Sequence, residues 1–131
     1  MQQPKTKVYL AGGLRSNWQT QVINACGDKF VFYNPSEHNL EMNSVQYTAW
    51  DIFHVKQSDI VFAYMEVSNP SGYGLALEVG YAKALNKTVI LINERSSTDQ
   101  QFDRYFKIIE NMSDVVFDNF QDGLAHLLRY N

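Results

Sequence analysis

Five short β-rich runs, each followed by a helical pattern, predict an α/β fold. The expected form has three layers: a five-stranded parallel sheet in flavodoxin-like or Rossmann-like order, with helices on both faces. Three observations carry this. The runs are continuously apolar rather than alternating, as strands covered on both faces are. Helical periodicity lies between them, which calls for parallel pairing through crossovers. The chain of 131 residues, 45% hydrophobic and 19% charged, has enough apolar material for one full core.

The elements follow in order. Strand candidates are VYLAG at 8–12, FVFYN at 30–34, DIVFAYM at 59–65, TVILIN at 88–93 and DVVFDN at 114–119. Trp18, Val22 and Cys26 recur every fourth residue and predict a first helix over 15–27, ended by Gly27. Val45, Ala49, Ile52 and Phe53 make the buried stripe expected of a second helix over 43–57. A third helix is expected over 73–86, and weaker ones over 99–111 and 120–130. No repeat or low-complexity linker divides the chain, so 1–131 reads as a single domain with 1–6 a flexible tail.

Composition excludes several classes of function. The net charge of -3, without a basic run, argues against a nucleic acid polymer as partner. Cys26 stands alone, so no internal disulfide forms. His38, His54 and His126 lack metal-ligand spacing, and neither metal nor cofactor is expected. The start MQQPKTK has no apolar signal region and no run is long enough to span a bilayer. A soluble cytoplasmic protein, away from membranes, is the expectation.

In open α/β sheets ligands sit beyond the carboxyl ends of the strands. That rule selects four loops: GGLRSNW, NPSEHN, EVSNPSGYG and NERSSTD. The stretch SGYGLALEVGYAKAL, residues 71–85, then stands out, because Glu78 lies in it among apolar residues. On a helix Glu78 shares a face with Leu75, Ala82 and Leu85, which points toward the sheet. A carboxylate there either bonds a neighbouring loop or lines a functional cavity, and the positive end of the helix would favour its charge. Gly12, Gly72 and Gly74 border the same edge and permit close ligand approach, or simply make turns. Free N–H groups at the start of the Glu78 helix suit an anion. Asp51 shares a helix face with Tyr47, Trp50 and His54, a solvated face or a subunit contact. Tyr9 can donate into a site from a central strand, or be core with its hydroxyl satisfied. Arg15 is either solvated or a phosphate clamp, Glu66 a supporting acid or a loop acid, and His54 reads as surface.

Taken together, KVYLAGG, DIFHVKQSDIVFAYM and SGYGLALEVGYAKALNKTVILI resemble the nucleoside 2-deoxyribosyltransferase family and its relatives, the 2'-deoxynucleoside 5'-monophosphate N-glycosidases. The likeness runs over residues 7–93 and is weaker beyond. It implies that Glu78 is the nucleophile that forms a covalent deoxyribosyl ester, that Tyr9 holds it, and that Asp51 exchanges a proton with the base. It also implies a place in nucleotide salvage and a small-molecule deoxynucleoside or deoxynucleotide as substrate. A homo-oligomer, dimer or larger, is implied too, with sites completed by a neighbouring subunit from within 104–113 and contacts near Tyr47 and Trp50. Glycosidic cleavage makes the sugar positive and the leaving base negative, so an ionised Glu78 and a protonated Asp51 suit it. A free carboxyl titrates near ~4, so Asp51 should be raised by burial.

The sequence departs from the transferases six residues before Glu78, where they carry an Asp for the 5'-hydroxyl and this chain has Gly72. The monophosphate hydrolases hold a 5'-phosphate with an Arg after the first strand, matched by Arg15, and a loop Ser, from whose place Ser71 is displaced by one residue.

Overall fold

The structure, a computed structural model, describes residues 4–37, 42–68 and 72–131. The expectations for residues 1–3, His38 and Ser71 therefore lie outside the described residues. Strands are β1 (Lys7–Gly12), β2 (Val31–Tyr33), β3 (Ile60–Met65), β4 (Thr88–Asn93) and β5 (Val115–Phe117). All pairings are parallel and the order is β2-β1-β3-β4-β5. The helices are α1 (Trp18–Cys26), α2 (Ser44–Gln57), α3 (Tyr73–Ala84), α4 (Gln100–Met112) and α5 (Phe120–Leu127), with one 3-10 turn at Pro35–Glu37. The predicted three-layer α/β fold is what forms. β1 is an interior strand, although β3 takes the middle position.

Successive side chains of a strand point to opposite faces, and the core divides accordingly. Val8, Leu10, Phe62, Tyr64, Ile90 and Ile92 pack with Trp18 and Val22 of α1 and Leu124 and Leu127 of α5. Tyr9, Ala11, Val61, Ala63, Val89 and Leu91 pack with Val55 of α2, Leu75, Val79 and Ala82 of α3, and Phe102 and Ile109 of α4. β3 is buried along its whole length, whereas the edge strands β2 and β5 are short and partly exposed. The runs at 30–34 and 114–119 shorten to three residues each because only one neighbour supplies hydrogen bonds.

One helix is turned relative to expectation. Val45 and Phe53 are 77% and 57% exposed, and Ala49 is exposed with them. The face of α2 that meets the sheet carries Val55, with Trp50 packed beside it. The stripe at 45, 49 and 53 therefore points outward. Further apolar side chains on α3 and α4, among them Leu77 and Ile108, are exposed on the outside of this layer.

Two aspartates fasten the amino edge of the sheet. The Lys7 N–H donates to Asp59 Oδ2 at 2.9 Å, and the Val89 N–H donates to Asp114 Oδ2 at 2.7 Å. Lys83 Nζ lies 3.0 Å from the other Asp114 oxygen. Partial burial opposes ionisation of Asp114, but the Val89 N–H and Lys83 outweigh it and hold the carboxyl below its ordinary range.

At the opposite edge, Gly12 ends β1 at φ 153, a backbone region that side chains avoid. A Cβ there would lie 2.6 Å from the Tyr64 carbonyl oxygen and 2.9 Å from Trp18 Cζ2. Packing alone thus requires glycine at this position. Gly12→Ala is expected to lower the unfolding free energy by at least about 2 kcal/mol, read from urea denaturation.

Candidate functional site

The strand order reverses direction between β1 and β3. The connection after β1 leads to α1 on one face, and the connection after β3 leads to α3 on the other. Such a switch point opens a crevice at the carboxyl edge. On the α3 face, Ala11 and Ala63 are register partners and lie side by side. On the opposite face the corresponding pair is Leu10 and Phe62. The two methyl groups leave room on the α3 side that bulkier residues fill on the other.

Tyr9 stands one step down β1 on the same face and is fully buried. Its hydroxyl donates a hydrogen bond to Glu78 Oε2 of α3. Glu78 is 8% exposed and shares the inner surface of α3 with Leu75, Val79 and Ala82, as the spacing predicts. Leu85 lies just beyond the helix and is half-buried. Asp51, half-buried on the inner side of α2, also engages the Tyr9 hydroxyl through its side chain. Three elements thus bring Tyr9, Asp51 and Glu78 together around one phenol.

The electrostatics follow from that enclosure. Burial pushes the Glu78 carboxyl up to about 7; the Tyr9 hydrogen bond favours the ionised form, and the nearby Asp51 charge opposes it. Burial, then the charge and hydrogen bond of Glu78, then Asp51 drive the Tyr9 phenol far above its ordinary range. Tyr9 therefore remains a neutral donor at every physiological pH. The helix dipole contributes less than the sequence suggests, because Glu78 is the sixth residue of α3 and lies beyond its first turn.

The other candidates are placed differently. Arg15 is exposed on the turn after β1, and its guanidinium makes no hydrogen bond or ion pair with the described residues. Gly72 caps α3 with ordinary negative φ. A Cβ at Gly72 would meet Phe106 Cε1 at 3.1 Å and Met65 Cε at 3.3 Å, so packing crowds this position. A Cβ at Gly74 would meet nothing within 4 Å. Glu66 receives the Ser16 hydroxyl, with its oxygens at 3.0 and 2.9 Å.

His54 is not a surface residue. Its ring stacks on Trp50 with centroids 3.9 Å apart, its Nδ1 lies 2.8 Å from the Trp50 carbonyl oxygen, and Tyr33 meets it edge-on at 4.6 Å. This aromatic group props α2 beside Asp51. The i,i+4 spacing of Trp50 and His54 was its one visible signal. Gln19, 1% exposed at the start of α1, is a second polar residue that periodicity does not reveal.

A family model described as nucleoside 2-deoxyribosyltransferase like matches residues 5–96. Among solved structures, a conserved protein from Enterococcus faecalis V583 superimposes with a TM-score of 0.71 at 19% identity, over 95% of this chain and 98% of that one. The CMP N-glycosidase BcmB of Clostridium botulinum superimposes with a TM-score of 0.61 at 20% identity, over 95% and 100% of the two chains. No functionally curated protein matches the chain. No helix among the described residues is long and apolar enough to cross a membrane.

The raised Glu78 has a consequence for stability. Its folded value of about 7 exceeds the ordinary 4.5, so its protonated form supports folding fully below the latter. That support is lost as pH rises through about 7. Glu78→Gln cannot ionise and is expected to be more stable than the native chain at pH ~8, by up to about 3 kcal/mol. The difference should shrink toward zero by pH ~5, with urea unfolding at the two pH values as the measurement.

Proposed function

Because the chain belongs to the nucleoside 2-deoxyribosyltransferase-like family, we propose that it breaks the N-glycosidic bond of 2'-deoxynucleosides through a covalent ester on Glu78. The observation that carries this reading is a buried carboxylate held by a neutral phenol, with a second carboxyl on the same phenol. A Glu78 oxygen attacks C1', the C1'–N bond breaks, and its electron pair passes to the base. Asp51 supplies the proton that the leaving base takes up. Asp51 then accepts a proton from the incoming group, which attacks C1' and frees Glu78. When that group is a second base, the enzyme is a deoxyribosyltransferase.

Tyr9 serves this cycle by staying protonated. It donates to Glu78 when the carboxylate is ionised and keeps one oxygen oriented, leaving the other for the sugar. The Ala11 and Ala63 pair provides a flat apolar floor. Leu75 and Val79 keep water from the carboxylate, which strengthens its attraction to the positive charge that develops on the sugar.

A second reading concerns the 5' end, and Gly72 favours it. The Asp that transferases place there would be pressed against Phe106 and Met65. Arg15 instead presents a guanidinium without a partner among the described residues, at the same edge of the sheet. These features support a 2'-deoxynucleoside 5'-monophosphate N-glycosidase, in which water takes the sugar from Glu78. The similarity in fold to a CMP N-glycosidase accords with this reading.

We also propose a homo-oligomer. The outward stripe of α2 and the exposed Leu77 and Ile108 form an apolar exterior beside a groove of about 230 Å³ between α3 and α4. Tyr105, Ile108 and Met112 lie within the segment from which a neighbouring subunit would complete the site.

Mixing the protein with a 2'-deoxynucleoside or its 5'-monophosphate should give an intact mass increased by one sugar unit. Glu78→Ala should remove both the adduct and turnover while remaining folded. Adenine deoxyriboside formed from deoxyinosine plus adenine identifies transfer; free base plus deoxyribose 5-phosphate, formed only from the nucleotide, identifies hydrolysis. Turnover without an adduct in rapid quench, unaffected by Glu78→Ala, would overturn the mechanism.

The pH profile gives an independent measurement. The nucleophile must be ionised, and burial raises Glu78 to about 7. Below that value kcat/KM is expected to fall about tenfold per pH unit, with the acid limb of the profile as the readout.

A further inference from the structure

The turn that carries Arg15 is fastened from two sides. On one side, the Gly13 carbonyl accepts two hydrogen bonds, from Trp18 Nε1 at 2.9 Å and Gln19 Nε2 at 3.0 Å. Both side chains are buried, at 2% and 1% exposure. A buried carboxamide is costly unless its polar atoms are used, and here it holds one backbone carbonyl. On the other side, Ser16 Oγ donates to the carboxylate of Glu66, just past the end of β3. This bond ties the turn after β1 to the connection that leads into α3.

Arg15 lies between these two fastenings. Ser16, the residue after Arg15, donates to the Glu66 carboxylate, yet the arginine does not pair with it. The Gly12 backbone beneath admits no side chain. A turn held on both sides, around a guanidinium that has no partner among the described residues, is arranged for an anion from outside. It lies at the carboxyl end of β1, the strand that carries Tyr9, beside the end of β3.

We propose that Gln19 and Glu66 are positioning residues that hold the Arg15 turn and thereby set the affinity for the 5'-phosphate of the substrate. The inference rests on the monophosphate reading above. Neither residue touches the phosphate; each fixes the backbone from which Arg15 reaches it. An arginine on a fixed turn loses less freedom on binding than one on a loose loop, so the same contacts give tighter binding.

The test is titration of 2-deoxyribose 5-phosphate, with 2-deoxyribose as reference, into the native protein and its variants by calorimetry. The native protein should prefer the phosphorylated sugar, and Arg15→Ala should weaken that preference about tenfold or more. Glu66→Ala and Gln19→Leu should each weaken binding of the phosphorylated sugar by a factor of about 3–10, the worth of one hydrogen bond. Glu66→Gln, which keeps an acceptor for Ser16, should bind at least as tightly as the native protein. If the native protein shows no preference for the phosphorylated sugar, the monophosphate reading falls and the inference falls with it. If Arg15→Ala loses the preference while Glu66→Ala and Gln19→Leu keep it, the phosphate site stands and the positioning roles are refuted. Equal weakening of both sugars, or a Glu66→Gln as weak as Glu66→Ala, also refutes them. Should Gln19→Leu fail to fold, the two Glu66 variants decide.

Discussion

One buried hydrogen bond, from the Tyr9 phenol to the Glu78 carboxylate, organises this molecule. It joins the second strand of the sheet to the helix that covers it, and it does so with a group that water would otherwise claim. An acid in this position demands small neighbours above the strands, which Ala11 and Ala63 supply. It demands dry flanks, which Leu75 and Val79 supply. It demands a donor that never loses its own proton, which the burial of Tyr9 ensures. The arrangement works against stability at alkaline pH, and the extensive apolar packing on the opposite face, from Leu10 and Phe62 to Trp18 and Leu127, offsets that local strain.

Much of this was legible in the sequence, and the reasons are physical. Continuous apolar runs mark interior parallel strands, and β3 and β4 appear where those runs lie. A single acid on an otherwise oily helical face is conspicuous, so Glu78 and the orientation of α3 could be read directly. Edge strands lack that double covering, so the apolar runs at 30–34 and 114–119 extend beyond the strands that form. The first helix starts at Trp18 and not at 15, because the turn that precedes it is held by side chains on backbone, which leave no periodic trace.

The second helix shows where pattern and structure part. Periodicity reports which residues avoid water, and it does not report what covers them. Val45, Ala49 and Phe53 face outward from this chain, while Trp50 and His54 lie half-buried and stack on one another. Mixed aromatic and polar residues can line an interior when their polar atoms find partners, as His54 Nδ1 does at the Trp50 carbonyl. Asp51 consequently faces inward, on the side that looked least like a core. The raised carboxyl is likewise a three-dimensional property: burial acts on Glu78, and no spacing rule conveys its size.

The two ends of the sheet are built on different terms. At the amino end, Asp59 and Asp114 close the strand starts with bonds to the backbone of Lys7 and Val89, so the framework there is secured by its own side chains. At the far end the ties run between loops, from Ser16 to Glu66 and from the Val67 N–H to Glu94. Such a division leaves the rim beyond the carboxyl ends of the strands open to substitution while the scaffold underneath stays unchanged.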